Sequence, residues 1–249
     1  LRFRRAPVRG APARAPLDNL RKAHQVLIEV FPPRGKVATP PYCRREFLET
    51  KIPGSSRRQF GSGLGNAPRA GGKAITLNLP RRILVLAPHT DDAELGAGAS
   101  MAKWIEEGSE VHVCVFSTAE DSLPKGSRPT RLAEECHASL DVLGIRDDRR
   151  IVFRYPVRKL SYHRQDVLEN MVQLGQEIAP EWVVIPSGSD LHQDHATIHD
   201  EALRAFKHKT VLGYELPWNH ITFCASAFVT LERRHLDRKW EALTRYASQ

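Results

Sequence analysis

Two short clusters in the 249-residue sequence carry groups that can bind a metal and move protons. The first reads Pro88-His89-Thr90-Asp91-Asp92-Ala93-Glu94-Leu95-Gly96, the second Pro186-Ser187-Gly188-Ser189-Asp190-Leu191-His192-Gln193-Asp194-His195. Zinc accepts imidazole and carboxylate ligands, and a catalytic zinc uses three of them and leaves a fourth position for water. Two His and one Asp drawn from these clusters meet that need. The carboxylate left over also has a use, because a metal-activated water still needs a base within one hydrogen bond. Either cluster alone reads as a turn or a helix cap. Two of them, each directly after an apolar run, do not.

Those apolar runs belong to a regular pattern that begins at residue 81. RILVLAP precedes GAGASMAKWIEEG, EVHVCVFS precedes RPTRLAEECHASLDVLG, RIVFRYP precedes RQDVLENMVQLGQEIAP, and WVVIP precedes HATIHDEALRAFKH. VLGYELP, AFVTLE and an amphipathic RRHLDRKWEALTRYA complete it. Near-continuous apolar strands alternating with helices predict a mostly parallel sheet covered on both faces, a doubly wound α/β domain. Ligands of such sheets bind beyond the carboxyl ends of the strands. Both clusters fall there.

Residues 1–80 have a different composition. Residues 1–75 hold 16 Lys and Arg against 4 Asp and Glu, a net of +12, whereas residues 76–249 are net −4. The basicity of the chain is therefore a property of its N-terminal extension. Its opening LRFRRAPVRGAPARAP and the Gly/Ser/Arg-rich residues 54–73 read as irregular. Between them Asp18 is positioned to cap one helix through LRKAHQVLIEVF, ended by Pro32 and Pro33. The expected division is an extension over 1–80 and an α/β domain over 81–249. Four cysteines without C-x-x-C spacing exclude a zinc ribbon or thioredoxin-type site and favour a reducing compartment. No apolar run is long enough to span a bilayer, and no apolar segment follows the Arg-rich start, so the sequence predicts a cytoplasmic protein. The composition is compatible with a homo-oligomer.

On the two clusters and the strand–helix order, residues 82–247 resemble the PIG-L/LmbE-like family of zinc-dependent N-acetylglucosaminyl deacetylases. The family's first motif reads H-P-D-D with a nearby Glu, and its second reads H-P-D-H or H-x-D-H. The resemblance implies a Rossmann-like fold, Zn2+ as cofactor, and an N-acetylated amino sugar or sugar conjugate as substrate. It makes His89, Asp92 and His195 the metal ligands and Asp91 the general base. It makes His192, oriented by Asp194, the group that stabilises or protonates the tetrahedral intermediate. Asp91 and His192 both remain candidates for protonating the leaving amine. Thr90 stands where the family has Pro, at a position that makes no metal bond. The resemblance also implies further residues beyond Gln249, so the domain is expected to be truncated at its C-terminus.

Weaker expectations attach to other residues. Arg131 and Glu134 fall where the family carries Arg-x-x-Glu, so Arg131 is a substrate-binding candidate reaching a sugar hydroxyl or phosphate, or else a solvated first-turn charge. Asp190 orients His192 or caps a turn, and Glu94 braces a ligand. His199 faces solvent or packs, and Trp104, Trp182 and Trp240 are expected in the core. Two rival functions use the same residues or the extension. His89-x-Asp91 with His195 also spells the 2-His-1-carboxylate set of non-haem Fe(II) oxygenases, although the second Asp and the strand–helix alternation argue against it. The +12 extension suits nucleic acid or a membrane surface, but it lacks the interleaved aromatics of an RNA-stacking surface, so nucleic-acid binding is not expected.

Overall fold

The computed structural model describes residues 25–31, 78–221 and 227–249. Its frame is a sheet of seven strands: β1 (Gln25–Phe31), β2 (Arg82–Ala87), β3 (Glu110–Val115), β4 (Arg150–Val152), β5 (Trp182–Pro186), β6 (Thr210–Tyr214) and β7 (Ala227–Thr230). They lie in the order β4-β3-β2-β5-β6-β1-β7. The five strands from β4 to β6 are parallel neighbours, and β1 runs antiparallel to both β6 and β7. Among the described residues, five α-helices pack on this sheet: α1 (Asp92–Glu106), α2 (Arg131–Leu143), α3 (Arg164–Ile178), α4 (Gln193–Ala205) and α5 (Arg233–Leu243). The mostly parallel α/β architecture expected from the strand–helix alternation is the one observed.

Burial on both faces explains the strand composition. Along β2, Ile83, Val85 and Ala87 join one apolar cluster with residues of α1, α2 and α5. Leu84 and Leu86 join a second cluster with residues of α3 and α4. A strand with a helix layer on each side has no polar face, so its sequence reads as a continuous apolar run rather than an alternating one. Val85 pairs with Val113 on one side and Val184 on the other. Gly144, at a φ of +83°, ends α2 in the left-handed conformation that lacks a steric penalty only for glycine.

Two expectations are corrected. Over the described part of the stretch given to a helix, residues 25–31 run as strand β1, and residues 18–24 lie outside the described residues. The sequence QVLIEVF has β-branched residues at every second position, Val26, Ile28 and Val30, which suits a pleated strand with partners on both sides. Only the tertiary fold supplies those partners. Trp240 is 64% exposed on α5 rather than in the core, whereas Trp104 is buried and meets Trp182 edge-on at 6.2 Å. Among the described residues, no helix is long and apolar enough to cross a membrane.

Candidate metal centre

The strand order reverses between β2 and β5. From β2 the chain crosses outward to β3 and β4, then returns to β5 on the other side of β2. The carboxyl ends of β2 and β5 therefore flank the crevice where open α/β sheets bind ligands. The loop after β2 carries His89 and Asp91 and opens α1 at Asp92. The loop after β5 carries Asp190 and opens α4 behind His192, the helix N-cap, whose Nδ1 accepts from the Asp194 backbone N–H at 3.2 Å.

Asp92 is the meeting point. Its Oδ2 accepts from the His89 backbone N–H at 2.8 Å. The same oxygen lies 3.0 Å from His89 Nδ1 and 3.2 Å from His195 Nε2. The two ring nitrogens stand 3.4 Å apart. These three distances describe a near-equilateral triangle of ligand atoms. A tetrahedral zinc with bonds of about 2.0–2.1 Å has ligand–ligand edges of about 3.3 Å. The donor set thus has both the chemistry and the spacing of three corners of a zinc tetrahedron. An all-histidine set of His89, His192 and His195 also exists, but its donor atoms are spread over as much as 4.8 Å.

The far nitrogen of each of these two histidine rings faces a carboxylate. Asp194 Oδ2 lies 3.0 Å from His89 Nε2, and Asp190 Oδ2 lies 2.7 Å from His195 Nδ1. Such partners fix the ring orientation and tautomer and raise the basicity of the ligating nitrogen. Each partner is itself held. The Asp194 carboxylate accepts from the backbone N–H groups of Arg158 at 2.5 Å and Leu160 at 3.2 Å, in the connection from β4 to α3. Asp190 Oδ2 accepts from Asn219 Nδ2 at 3.1 Å, and its Oδ1 accepts from the His192 N–H at 2.9 Å.

Charges follow from this packing. Burial pulls His89 down, but the carboxylates of Asp194 and Asp92 outweigh it and hold the ring up at about 9. Burial likewise opposes His195, which Asp190 and Asp92 hold at about 9. Burial would raise Asp92, yet the rings of His195 and His89 keep it far below the usual carboxylate range. Among the described residues, no cationic side chain is in contact with the Asp91 carboxylate. Burial first, then the charge of Asp92, pushes it up to about 6, close to the range of a general base working near neutrality. Burial and the neighbouring His195 and His89 lower His192, which favours a neutral ring. With Nδ1 accepting from Asp194 N–H, the remaining proton of that ring sits on Nε2.

His89, Asp92, His192, Asp194 and His195 are thus brought together as the sequence suggested, although the pairings differ. The Asp194 carboxylate lies on His89, not on His192, which meets only the Asp194 backbone. The reason is the helix start: His192 occupies the N-cap, so the Asp194 side chain leaves α4 toward the β2 loop. Asp190 holds the His192 amide and also orients His195, a role not apparent from spacing. Asp92 rather than Asp91 completes the two-histidine triangle, which leaves the oxygenase-type His-x-Asp set without geometric support. Arg131 donates from Nε to Glu135 on its own helix at 3.0 Å, and no described contact joins it to the centre. Glu94 is buried, pushed up to about 7 by burial, and 2.9 Å from the Tyr246 hydroxyl. His199 is buried, its Nδ1 2.9 Å from the Pro186 carbonyl oxygen. Asn219 and Tyr246 lie outside both His/Asp clusters, so the spacing of chemical groups gives no sign of either contact.

A paired His/Asp centre at the switch point of a mostly parallel α/β sheet has the donor groups and the place in the fold to hold a metal ion. Residues 84–206, a span containing both His/Asp loops and just under half of the chain, match the family model of PIG-L, GlcNAc-PI de-N-acetylase. It is 26% identical over 177 residues, 69% of this chain and 93% of the relative, to the uncharacterized deacetylase YaiS of Escherichia coli (strain K12). Over 164 residues it is 27% identical to a 1D-myo-inositol 2-acetamido-2-deoxy-alpha-D-glucopyranoside deacetylase of Kineococcus radiotolerans, covering 52% of this chain and 45% of that protein. Similar folds occur in the zinc-inhibited form of teicoplanin deacetylase Orf2 (TM-score 0.57, 21% identity, 68% of this chain and 84% of that one). The N,N'-diacetylchitobiose deacetylase from Pyrococcus horikoshii is also similar (TM-score 0.55, 18% identity, 68% and 71%).

Proposed function

We propose that the chain is a zinc-dependent deacetylase that hydrolyses the acetamide of an N-acetylated amino sugar or sugar conjugate. The observation that carries the metal assignment is the triangle of His89 Nδ1, Asp92 Oδ2 and His195 Nε2, whose edges of 3.0, 3.2 and 3.4 Å match a tetrahedral site. The substrate class rests on the family and on the relatives, which act on acetamido sugars by name. A cytoplasmic setting is part of the proposal and rests on the cysteine pattern, with Cys114 and Cys136 free and buried.

When bound, zinc would polarise the acetyl carbonyl and lower the pKa of its water toward about 7. Asp91 would accept the proton of the attacking water as the water oxygen adds to the carbonyl carbon. The His192 Nε2–H donates to the carbonyl oxygen as negative charge develops there, in the manner of an oxyanion-hole donor. Collapse breaks the C–N bond, acetate leaves, and the amine takes back the proton that Asp91 removed from water, while the neutral His192 remains a hydrogen-bond donor. Asp194 and Asp190 hold the two ligand rings throughout. Arg131 is proposed as a contact to a sugar hydroxyl or phosphate, for which its side chain would have to leave Glu135.

The test is acetate release from a panel of free, nucleotide-linked and lipid-linked N-acetyl sugars, with zinc quantified on the same sample. Stoichiometric zinc with no acetate from any acetamide would sink the reaction assignment. Acetate release by a protein stripped of metal would sink the zinc assignment.

A further inference from the structure

The first turn of α1 is held from behind by residues far away in sequence. Lys239 of α5 donates to the Leu95 carbonyl at 2.6 Å. Beyond the end of α5, the Tyr246 hydroxyl donates to the Thr90 carbonyl oxygen at 2.5 Å and lies 2.9 Å from Glu94 Oε1. Tyr246 is buried against the same apolar cluster that lines β2 and α1. Ser248 reaches Glu135 of α2 at 2.5 Å, so the C-terminal turn is pinned on both sides.

The Thr90 carbonyl shares its rigid peptide plane with the Asp91 nitrogen. A hydroxyl that grips this oxygen sets the rotation of the plane, and with it the direction in which Asp91 leaves the loop. Asp92 also has side-chain partners of its own. Asp92 Oδ2 is fixed separately by the His89 amide and by the His89 and His195 rings. Asp91 lacks such support: the hydrogen bond acting on its carboxyl group comes from its own backbone. Of the two acidic neighbours, one is held by its ligand partners and the other by the plane behind it.

We propose that Tyr246 is a positioning residue for the base. Through the Thr90 carbonyl it orients the Asp91 carboxylate toward the attacking water, without taking part in metal binding. The inference rests on the deacetylase reading above and deepens it by assigning a residue from the C-terminal turn to that site. Misplacement of a catalytic group by about 1 Å can lower the rate by about 100-fold.

Tyr246→Phe removes one oxygen atom and keeps the ring that fills the cluster. The expected result is a kcat lower by about 10–100-fold, with KM and zinc dissociation constant within about threefold of the parent. Chelator competition reads the zinc constant independently of turnover. The deciding measurement is a double-mutant cycle with Asp91→Asn. If Tyr246 acts through Asp91, Tyr246→Phe in the Asp91→Asn background lowers kcat by less than about twofold further. Full additivity of the two losses overturns the proposal, as does an equal loss of zinc affinity and kcat in the single variant. Unchanged kcat, or failure of this one-atom change to yield folded protein, makes Tyr246 a packing residue and also overturns it. A parent protein that neither binds zinc nor releases acetate would instead refute the underlying deacetylase reading.

Discussion

Gly96 offers a perturbation whose size can be worked out before the experiment. It lies four residues past Asp92 on α1, on the same helix face, where the helix crosses the end of β6. A Cβ at position 96 would sit 2.2, 2.6 and 2.9 Å from three carbons of the Tyr214 ring. Ordinary contact needs about 3.4 Å or more, so helix and ring must separate by roughly 1 Å. The ring has little room to retreat. Tyr214 is fully buried, and its hydroxyl donates to the Leu86 carbonyl at 3.2 Å. The helix moves instead, or the ring turns and loses that hydrogen bond at about 1 kcal/mol. Overpacking of this kind costs about 1–3 kcal/mol, which for a domain of this size lowers the melting temperature by about 2–12 °C. Any shift of α1 also displaces Asp92 from a triangle whose edges must stay within a few tenths of an ångström. Gly96→Ala is therefore expected to weaken zinc binding by about 10–100-fold. Melting curves with and without metal, together with chelator competition, measure both effects, and adding Tyr214→Leu should restore part of the loss by opening the space. A Gly96→Ala protein with unchanged melting temperature and unchanged zinc affinity would refute the reasoning.

Asp92→Ala or His195→Ala should each lose most bound zinc by elemental analysis, and stoichiometric zinc at parental affinity in both would remove them from the ligand set. Asp91→Asn should keep zinc and lower acetate release by about 10²–10⁴-fold, so near-parental turnover would move the base elsewhere. In protein stripped of metal, His89 and His195 have folded-state values of about 9 against an ordinary 6.5. Their stabilisation is fully present below about pH 6.5 and is lost as pH rises through about 9. Metal-free melting temperatures should fall over that window, and zinc should abolish the fall; a flat metal-free profile from pH 6 to 10 would contradict the His–Asp pairings. A chain beginning near Ala74 keeps both ligand loops but lacks β1, the partner of β6 and β7. We expect it to bind zinc stoichiometrically with a lower melting temperature, and loss of zinc would make the N-terminal extension part of the site's support.

Much of the fold was legible in the sequence because buried parallel strands leave an unusual trace. RILVLA, EVHVCV and WVVIP lie inside helix-covered sheets and read as apolar runs, while the intervening helices keep a polar face. The two clusters were legible for a related reason, since strand carboxyl ends are where such sheets present ligands. β1 was not. QVLIEVF satisfies a short helix pattern and a strand pattern alike, and the choice between them depends on partners that come from residues 211–214 and 227–230. The exposure of Trp240 was equally invisible, because the periodicity of an amphipathic helix does not say how much of its surface a neighbour covers.

Residue types and spacing alone determined which groups could bind a metal: two histidines, adjacent aspartates, and their places behind two strands. Tertiary structure decided which group meets which. Asp194 faces His89 across 105 residues of chain, Tyr246 meets Thr90 across 156, and Asn219 reaches Asp190 across 29. Hydrogen bonds act over about 3 Å and depend on direction. A partner is therefore chosen by the angle at which each loop leaves its strand and each helix begins. Those angles are set by packing over the whole sheet, and no local stretch of sequence encodes them.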